Sequence, residues 1–239
     1  MAKGDNMPRI ILVGGGSSSG KSYLTSRVIE LIGADKVTRI TIDDYYKDQA
    51  NMTEEERIAV NYDHPKAFDW PLMRRQIAAL KEGRTIKKPI YDFVQRTRGE
   101  KVEEITPKSL IIIEGIMALV DKNIREMADL RVFIDAGAER RFLRRIIRDS
   151  KERGRSFESI VNQYFSTVQP MYDEIVKPSS MYADLIVNND GVENLAVEVL
   201  TCVFNEQLNI ANGTSVPKEE EDTEFNEEVL ASVFRSSKN

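Results

Sequence analysis

This chain of 239 residues contains very few of the side chains that form covalent cross-links or histidine-based sites. It has one cysteine, Cys202, so no disulfide can form within the chain, and we expect a reducing compartment. Because Cys202 lies in an apolar stretch, it is expected to be a small buried hydrophobe. Its single histidine, His64, argues against a multi-histidine metal site and against a Ser-His-Asp triad.

Long apolar runs are also missing from the sequence. No run approaches the roughly 18 residues that a transmembrane helix needs, and no signal-peptide pattern is present. We therefore expect a soluble, cytoplasmic protein that does not bind membranes. With 41% hydrophobic and 31% charged residues, the chain can bury one sizeable core.

The net charge of −5 is distributed unevenly. Residues 212–239 contain seven acidic and three basic side chains, which is typical of a disordered tail, although Phe225, Val229 and Val233 also have the spacing of a short helix. Residues 139–155 contain eight basic and three acidic side chains. A local basic segment in an otherwise nearly neutral chain favours a specific anionic ligand and argues against nucleic acid as a partner.

The most specific motif lies near the amino terminus, where residues 15–22 fit the phosphate-binding pattern G-x-x-x-x-G-K-S. An apolar run precedes it and a helical pattern follows, which is the context that this loop requires. Lys21 is expected to reach the β- and γ-phosphates of a nucleoside triphosphate, and the Ser22 hydroxyl to ligate Mg²⁺. The predicted nucleotide-binding residues are Gly14, Gly15, Gly16, Ser17, Ser18, Ser19, Gly20, Lys21 and Ser22.

Strand-like runs alternate with helical patterns, which predicts an α/β fold: a mostly parallel five-stranded sheet between two helical layers. The candidate strands are 9–13, 37–42, 109–113, 131–134 and 184–187. The candidate helices are 21–33, 70–82, 121–128, 138–152, 157–175 and 192–208. Residues 85–105 interrupt the alternation and predict a small inserted β-hairpin lobe. We expect one domain over residues 1–211, followed by the acidic tail.

Carboxylates follow two of the predicted strands. Asp43 and Asp44 follow the second strand, where an aspartate beside a γ-phosphate can accept the proton of an attacking hydroxyl. The residues alone do not choose between these two. Glu114 follows the strand at 109–113, a position where a carboxylate helps a P-loop to hold hydrated Mg²⁺. The alternative for the aspartates is a solvated loop or helix-capping carboxylate, and the position of Glu114 is informative only together with the P-loop.

The basic segment places Arg141, Arg145 and Arg148 on one face of a predicted helix. We expect the apolar side chains of the opposite face to pack on the core, namely Phe142, Leu143, Ile146 and Ile147.

Arginine forks match phosphate oxygens and neutralise charge during phosphoryl transfer. Such a role is favoured for Arg145, Arg148, Arg153 and Arg155. A solvated basic face is favoured for Arg140 and Arg144.

Together these segments resemble the uridine kinase (uridine/cytidine kinase) family, a P-loop kinase group shared with phosphoribulokinase. The resemblance extends over roughly residues 8–208. It rests on the motifs at 14–22, 43–49, 61–69, 89–93, 114–116, 144–149, 152–155, 163–164 and 182–184.

The resemblance implies ATP- or GTP-dependent phosphorylation of the 5′-hydroxyl of uridine, with cytidine as a second candidate, in pyrimidine salvage. It selects Asp43 as catalytic base, with Lys21 and the lid arginines Arg148 and Arg153 acting on the phosphates. The lid is placed at 149–157. The implied ligands of Mg²⁺ are Ser22, Glu114 and Asp43.

The resemblance also implies a nucleoside site and a homotetramer. Asp63 and Arg145 match residues that hold the ribose hydroxyls, while Arg155 and Gln163 match further substrate positions. The residues that match the aromatic walls around the base are Tyr62, Tyr91 and Phe93.

Two departures from the family pattern bear on specificity. Arg96 stands where many relatives have histidine. Because arginine only donates hydrogen bonds, it can bond uracil O4 but cannot accept from the cytosine amino group, so we predict a stronger preference for uridine. The alternative is that Arg96 faces solvent and another residue contacts the base. Residues 188–190 differ from the usual Pro-Arg-Gly, which leaves the choice between ATP and GTP open, with Glu193 as a candidate nucleotide contact.

Two alternative functions are also compatible with the P-loop. One is a kinase for another nucleoside or for phosphoribulose, and another is a nucleotide-binding regulatory module. A GTPase switch would need an Asn-Lys-x-Asp guanine-binding tetrapeptide, which the sequence lacks. An inactive sensor would be expected to lose Lys21 or Asp43, and the chain has both.

Overall fold

The computed structural model describes residues 7–191 and 193–214, without the side chains of Glu193 and Asn194. The predicted acidic tail lies outside the described residues from 215 onward, and so does the side chain that was the candidate nucleotide contact. No helix in the part of the chain that is described is long and apolar enough to cross a membrane.

The chain alternates strands and helices, as predicted. The strands are β1 (Arg9–Gly15), β2 (Val37–Thr41), β3 (Ile86–Asp92), β4 (Thr97–Ile105), β5 (Leu110–Glu114), β6 (Leu130–Asp135) and β7 (Leu185–Asn188). The helices are α1 (Lys21–Ile32), α2 (Glu54–Ala59), α3 (Trp70–Lys81), α4 (Lys122–Met127), α5 (Ala138–Glu152), α6 (Phe157–Gln163), α7 (Gln169–Met171) and α8 (Glu193–Ala211). Two π-helical turns, Tyr164–Val168 and Tyr172–Val176, flank α7.

Five strands form one parallel sheet in the order β2-β5-β1-β6-β7. The central strands β1 and β5 are apolar and buried on both faces, as expected for strands covered on both sides. The predicted parallel sheet is therefore confirmed. Because the strands are parallel, their carboxyl ends all lie at one edge, where the loops that follow them meet.

Two apolar cores cover the two faces of the sheet. On one face, alternate residues of β1 such as Ile10 and Leu12 pack in a cluster with Met73 and Ile77 of α3. The other face carries Ile11 and Val13 of β1 in a cluster that is completed by Leu24 and Val28 of α1 and by Leu200 and Phe204 of α8. Burying each such side chain contributes roughly 1.5–3 kcal/mol, so the two cores fix the sheet edge that holds the site.

Strands β3 and β4 form the predicted antiparallel hairpin, with a register shift between Pro89 and Tyr91. Arg98 attaches it to the main body, since its guanidinium donates to the Asp69 carboxylate at 3.1 Å and to the Tyr45 carbonyl at 3.0 Å. The hairpin therefore stands beside the loop that follows β2.

Helix α5 is oriented differently from the prediction. Its buried residues are Arg141, Arg145 and Asp149, whereas Leu143 and Ile147 are 58% and 48% exposed. The prediction that the apolar face packs on the core was wrong for these two residues. Buried charge is tolerated when it is paired and hydrogen-bonded, and the paired residues of this helix face the phosphate-binding loop.

Two smaller differences concern α8 and α2. Cys202 is exposed, so its predicted burial was wrong. The buried residues of α8 recur every four positions from Ala196 to Leu208, which leaves Cys202 on the opposite face. Helix α2 was not predicted, although Thr53 and Glu56 form a capping box that is readable in the sequence.

Candidate active site

The phosphate-binding loop joins β1 to α1 and follows a path that only glycine permits at two positions. Gly15 has a φ of +140°, and a Cβ atom there would lie 2.3 Å from the carbonyl oxygen of Ile134. Gly20 has a φ of +97°, and its Cβ would lie 2.1 Å from Nδ2 of Asn189. The loop can therefore wrap closely around a ligand with its N–H groups at the start of α1.

Lys21 is buried beneath this loop. Its ammonium donates to the carbonyl oxygens of Gly15 and Gly16 at 2.9 and 2.7 Å. Burial lowers the pKa of Lys21 to about 8, against the opposing effect of the Glu114 and Asp43 carboxylates. The ammonium thus stays charged near neutral pH at a position next to the pocket.

A pocket of about 300 Å³ opens at the carboxyl ends of β1, β2 and β5. The backbone register places Glu114 opposite Thr41 on one side and opposite Val13 on the other, which fixes these strand ends side by side. The pocket is lined by Ser17, Ser18, Gly20, Lys21, Ser22, Tyr23, Thr41, Asp43, Glu114, Gly115, Ile116, Arg144 and Arg148.

The structure separates the two aspartates between which the residues alone left the choice open. Asp43 lines the pocket from the 3₁₀ turn Ile42–Tyr45. Burial raises the pKa of its carboxyl to about 6, and the charge of Lys21 partly offsets this effect. Asp44 instead forms an ion pair with the buried Lys88 of the hairpin. Of these two aspartates, only Asp43 lines the pocket.

One carboxylate oxygen of Glu114 accepts no hydrogen bond from any described residue. Glu114 is 2% exposed, and its Oε1 accepts from the Arg39 guanidinium, while Oε2 is buried without a hydrogen-bond partner among the described residues. No cluster of three or more metal-ligating side chains occurs in the described ranges. An orphaned carboxylate oxygen beside the Ser22 hydroxyl fits Mg²⁺, which keeps water and phosphate ligands and needs few protein groups.

Four arginines surround a fully buried carboxylate at the end of α5. The closest guanidinium and carboxylate atoms of Asp149 lie 3.5 Å apart for Arg145, 2.8 Å for Arg148, and 3.7 Å for both Arg153 and Arg155. This places the predicted lid arginines in one cluster.

The predicted ribose residues also lie close together. Arg145 donates to the Ser17 hydroxyl and to Gln163 Oε1, both at 2.8 Å, and Arg155 donates to the same Gln163 oxygen. Burial raises the pKa of the Asp63 carboxyl, while the charge of Arg145 opposes this rise. The cluster therefore connects directly with the phosphate-binding loop.

Aromatic rings form a separate wall next to the hairpin. The centroid of Tyr46 lies 5.1 Å from those of Tyr62 and Tyr91, and Tyr91 lies 5.2 Å from Phe93. Tyr91 is buried, whereas Phe93 is 55% exposed. Tyr46 was not among the predicted site residues, although its position three residues after Asp43 is a signal that could have indicated it.

Comparison with known protein families identifies the family of this chain. Residues 10–196 match the model of the Phosphoribulokinase / Uridine kinase family. The chain belongs to this family.

Relatives within the family cover nearly the whole chain. The protein named Uridine kinase from Ligilactobacillus salivarius (strain UCC118) is 44% identical over 200 residues, which are 84% of this chain and 94% of the relative. The Uridine kinase of Listeria monocytogenes serotype 4a (strain HCC23) is 43% identical over 194 residues, 81% of this chain and 93% of the relative.

Solved structures with low sequence identity to this chain have a similar fold. Phosphoribulokinase from Rhodobacter spheroides has a TM-score of 0.59 at 18% identity, and the match covers 77% of this chain and 70% of that one. D-glycerate 3-kinase from Cryptococcus neoformans var. grubii serotype A has a TM-score of 0.56 at 17% identity, with 76% and 86% covered. The P-loop kinase architecture predicted from the sequence is confirmed.

The prediction that Arg144 lies on a solvated basic face was wrong for this member of the phosphoribulokinase/uridine kinase family. Its guanidinium donates to the carbonyl oxygens of Ser19 and Asn189 at 3.3 and 3.0 Å, and it lines the pocket. Arg140, by contrast, is half exposed and lies 3.5 Å from Asp190. Sequence spacing could not distinguish the environment of Arg144 from that of Arg140, because Arg144 contacts Asn189, which lies 45 residues further along the chain.

Arg96 lies in the turn of the hairpin with a φ of +54°, a left-handed conformation that is uncommon for residues other than glycine. It is half-buried, and its charge acts on Tyr91, where it opposes the effect of burial on the pKa of that phenol. The residue that departs from the family pattern is therefore near the aromatic wall.

Proposed function

We propose that this family member is a uridine kinase, which transfers the γ-phosphoryl group of ATP or GTP to the 5′-hydroxyl of uridine. The observation that carries the proposal is the pocket in which Lys21, Asp43 and Glu114 meet at three adjacent strand ends. A phosphate-binding loop beside a carboxylate with a raised pKa is suited to phosphoryl transfer to a hydroxyl. The names of the relatives supply the nucleoside.

Asp43 would act as the general base. A carboxylate whose pKa is about 6 is ionised at neutral pH, yet basic enough to accept a proton. In the proposed step, the 5′-oxygen of the nucleoside bonds to the γ-phosphorus, its proton passes to Asp43, and the bond to the nucleoside diphosphate breaks. Lys21 and Arg148, at the same pocket, would stabilise the charge on the phosphoryl oxygens.

Mg²⁺ fits the unpaired oxygen of Glu114, with Ser22 and Asp43 as its other protein ligands. When it is bound, Mg²⁺ neutralises charge on the phosphates. The protein holds this region rigid through the contact of Glu114 with Arg39.

Asp63 and Arg145 would recognise the ribose. A carboxylate that accepts from both vicinal hydroxyls loses one donor when the sugar is deoxyribose, and a polar site is then left unpaired. Arg155 and Gln163 would support Arg145, to which Gln163 is hydrogen-bonded. Tyr62, Tyr91 and Phe93 would enclose the base, since their rings form one connected wall.

A coupled assay of nucleoside diphosphate release tests this proposal. The purified chain is given ATP or GTP with a panel of ribonucleosides, deoxyribonucleosides and ribulose 5-phosphate. We expect the highest kcat/KM with uridine and a large loss with deoxyuridine. Activity on ribulose 5-phosphate alone would contradict the substrate assignment, and nucleotide binding without turnover would favour a regulatory module.

The family resemblance further supports a homotetramer and a place in pyrimidine salvage. Light scattering of the purified protein measures the mass of the oligomer and so tests the homotetramer. A mass of one or two chains would contradict it.

A further inference from the structure

The buried carboxylate of Asp149 has more positive partners than it can neutralise. It is fully inaccessible to solvent, and four guanidinium groups approach it. Its single negative charge cannot balance all four, although the charge of Asp63 also acts on Arg145 and Arg148. Its Oδ2 forms no hydrogen bond with any described residue. Most of these ion pairs are therefore loose, and an added anion with several oxygens can compete for them.

Two of the arginines are fixed by other contacts. Arg145 donates to Ser17 and Gln163, and Arg155 donates to Gln163 as well. These two would stay in place without the Asp149 carboxylate. Together with Gln163 they form the side of the cluster that faces the proposed ribose site.

The other two arginines depend on Asp149. Within the described residues, neither Arg148 nor Arg153 has an ion pair or a hydrogen bond with any other side chain. Arg148 lines the pocket, and the charge of Arg153 acts on Asp43 and lowers the pKa of that carboxyl. Among the described residues, Arg148 and Arg153 thus share one ion-pair partner, Asp149.

We infer that Asp149 is a positioning residue that holds Arg148 and Arg153 near the phosphate-binding pocket and releases them to the donor phosphates on binding. The inference rests on the proposed function, in which these two arginines clamp the phosphates. Polyphosphate oxygens accept charge-assisted hydrogen bonds from arginine forks, so they displace a carboxylate that is shared among four guanidinium groups. Asp149 therefore weakens anion binding while it directs the arginines toward productive positions.

The Asp149→Asn variant tests this inference through anion binding as well as turnover. It keeps the shape of the side chain and removes its charge. With inorganic sulfate as the probe, measured by calorimetry, we expect binding about tenfold tighter than in the wild type, because a competing charge close to the arginines is gone. With ATP and uridine, kcat should fall about 10–100-fold, since misplaced catalytic groups cost rates of this order, while the KM for ATP does not rise.

A matched control is Asp121→Asn. Asp121 is a similarly buried carboxylate that pairs with Arg74 and does not line the pocket, and asparagine preserves its helix cap. Sulfate affinity and turnover should match the wild type in this control. A merely structural role of Asp149 would lower stability without strengthening sulfate binding. Unchanged or weaker sulfate binding in Asp149→Asn overturns the inference, and so does tighter binding with undiminished kcat.

A second comparison covers the case in which repulsion among the four arginines unfolds Asp149→Asn, because replacing Arg153 removes one of the repelling charges. The double variant Asp149→Asn/Arg153→Gln retains three of the arginines without the Asp149 carboxylate and is compared with Arg153→Gln alone. The double variant should bind sulfate more tightly, and equal affinities contradict the inference. If the wild type fails to phosphorylate uridine while these sulfate affinities still differ, the proposed function fails and the role of Asp149 stands.

Discussion

Arg39 and Glu114 form an ion pair that uses only one side of the carboxylate. The Arg39 Nε lies 3.1 Å from Oε1, whereas Oε2 is buried without a hydrogen-bond partner among the described residues. Leaving a buried polar atom unpaired costs about 1–3 kcal/mol. A cation bound at Oε2 would offset this cost, and the ion pair would then orient Glu114 for the proposed Mg²⁺.

The first prediction therefore concerns Glu114→Gln. The amide keeps the contact geometry but loses the negative charge, so the Mg²⁺ concentration for half-maximal activity should rise about 10–100-fold. A titration with MgCl₂ at saturating ATP and uridine measures this half-maximal Mg²⁺ concentration. Glu103→Gln, which alters a half-exposed partner of Lys88, is the control and should leave the Mg²⁺ requirement unchanged. Equal requirements in Glu114→Gln and the wild type would exclude Glu114 as a ligand.

Asp43→Asn should remove the general base. Because loss of such a group typically costs 10²–10⁴ in rate, we expect kcat to fall by about that factor while nucleotide affinity changes little. The neighbouring variant Asp44→Asn is the control, since Asp44 pairs with Lys88 and does not line the pocket. Turnover that survives in Asp43→Asn, or is lost equally in both variants, contradicts the assignment.

The pH dependence follows from two shifted groups. Asp43 must be deprotonated to act as a base, and its pKa of about 6 means that kcat/KM for the donor rises through pH 6. Lys21 must be charged, and its pKa of about 8 means that the same parameter falls above pH 8. In Asp43→Asn the residual activity should lose the acidic limb and keep the alkaline one. A profile that is flat from pH 5 to 9 would show that neither group controls the reaction.

Arg96→His is expected to narrow the preference for uridine. Histidine can accept a hydrogen bond from the cytosine amino group, whereas arginine cannot. The ratio of kcat/KM for uridine to that for cytidine should fall by about 10-fold, the order of one hydrogen bond to a substrate group. Arg84→His, a change at an exposed residue paired with Glu82, serves as control. Equal kcat/KM for the two nucleosides in the wild type would refute the role of Arg96.

The orientation of α5 gives a test based on stability. Leu143 is exposed, so Leu143→Gln should change the free energy of unfolding by no more than about 0.5 kcal/mol. Leu200 is buried in α8, and Leu200→Ala should cost about 2–5 kcal/mol. Urea denaturation measures both. A cost of several kcal/mol for Leu143→Gln would indicate that this face is covered.

The centre of the sheet could be predicted well from the sequence because β1 and β5 are apolar on both faces. The sequence also placed Asp43 and Glu114 at one edge, since parallel strands bring their carboxyl ends together. The periodicity of α5 shows which residues share a face, but not which face is buried. That choice depends on long-range contacts such as the hydrogen bond from Arg145 to Ser17, which lies 128 residues earlier in the chain. The contact of Arg144 with Asn189 is likewise a product of the fold.

The most direct test of the central claim follows the phosphoryl group itself. ATP labelled at the γ-phosphorus is incubated with the chain, Mg²⁺ and uridine, and the products are separated and identified by mass spectrometry. We expect the label in uridine 5′-monophosphate, with a rate that falls about 10²–10⁴-fold in Asp43→Asn. Label found only in inorganic phosphate, or on an acceptor other than the 5′-oxygen, would contradict the account.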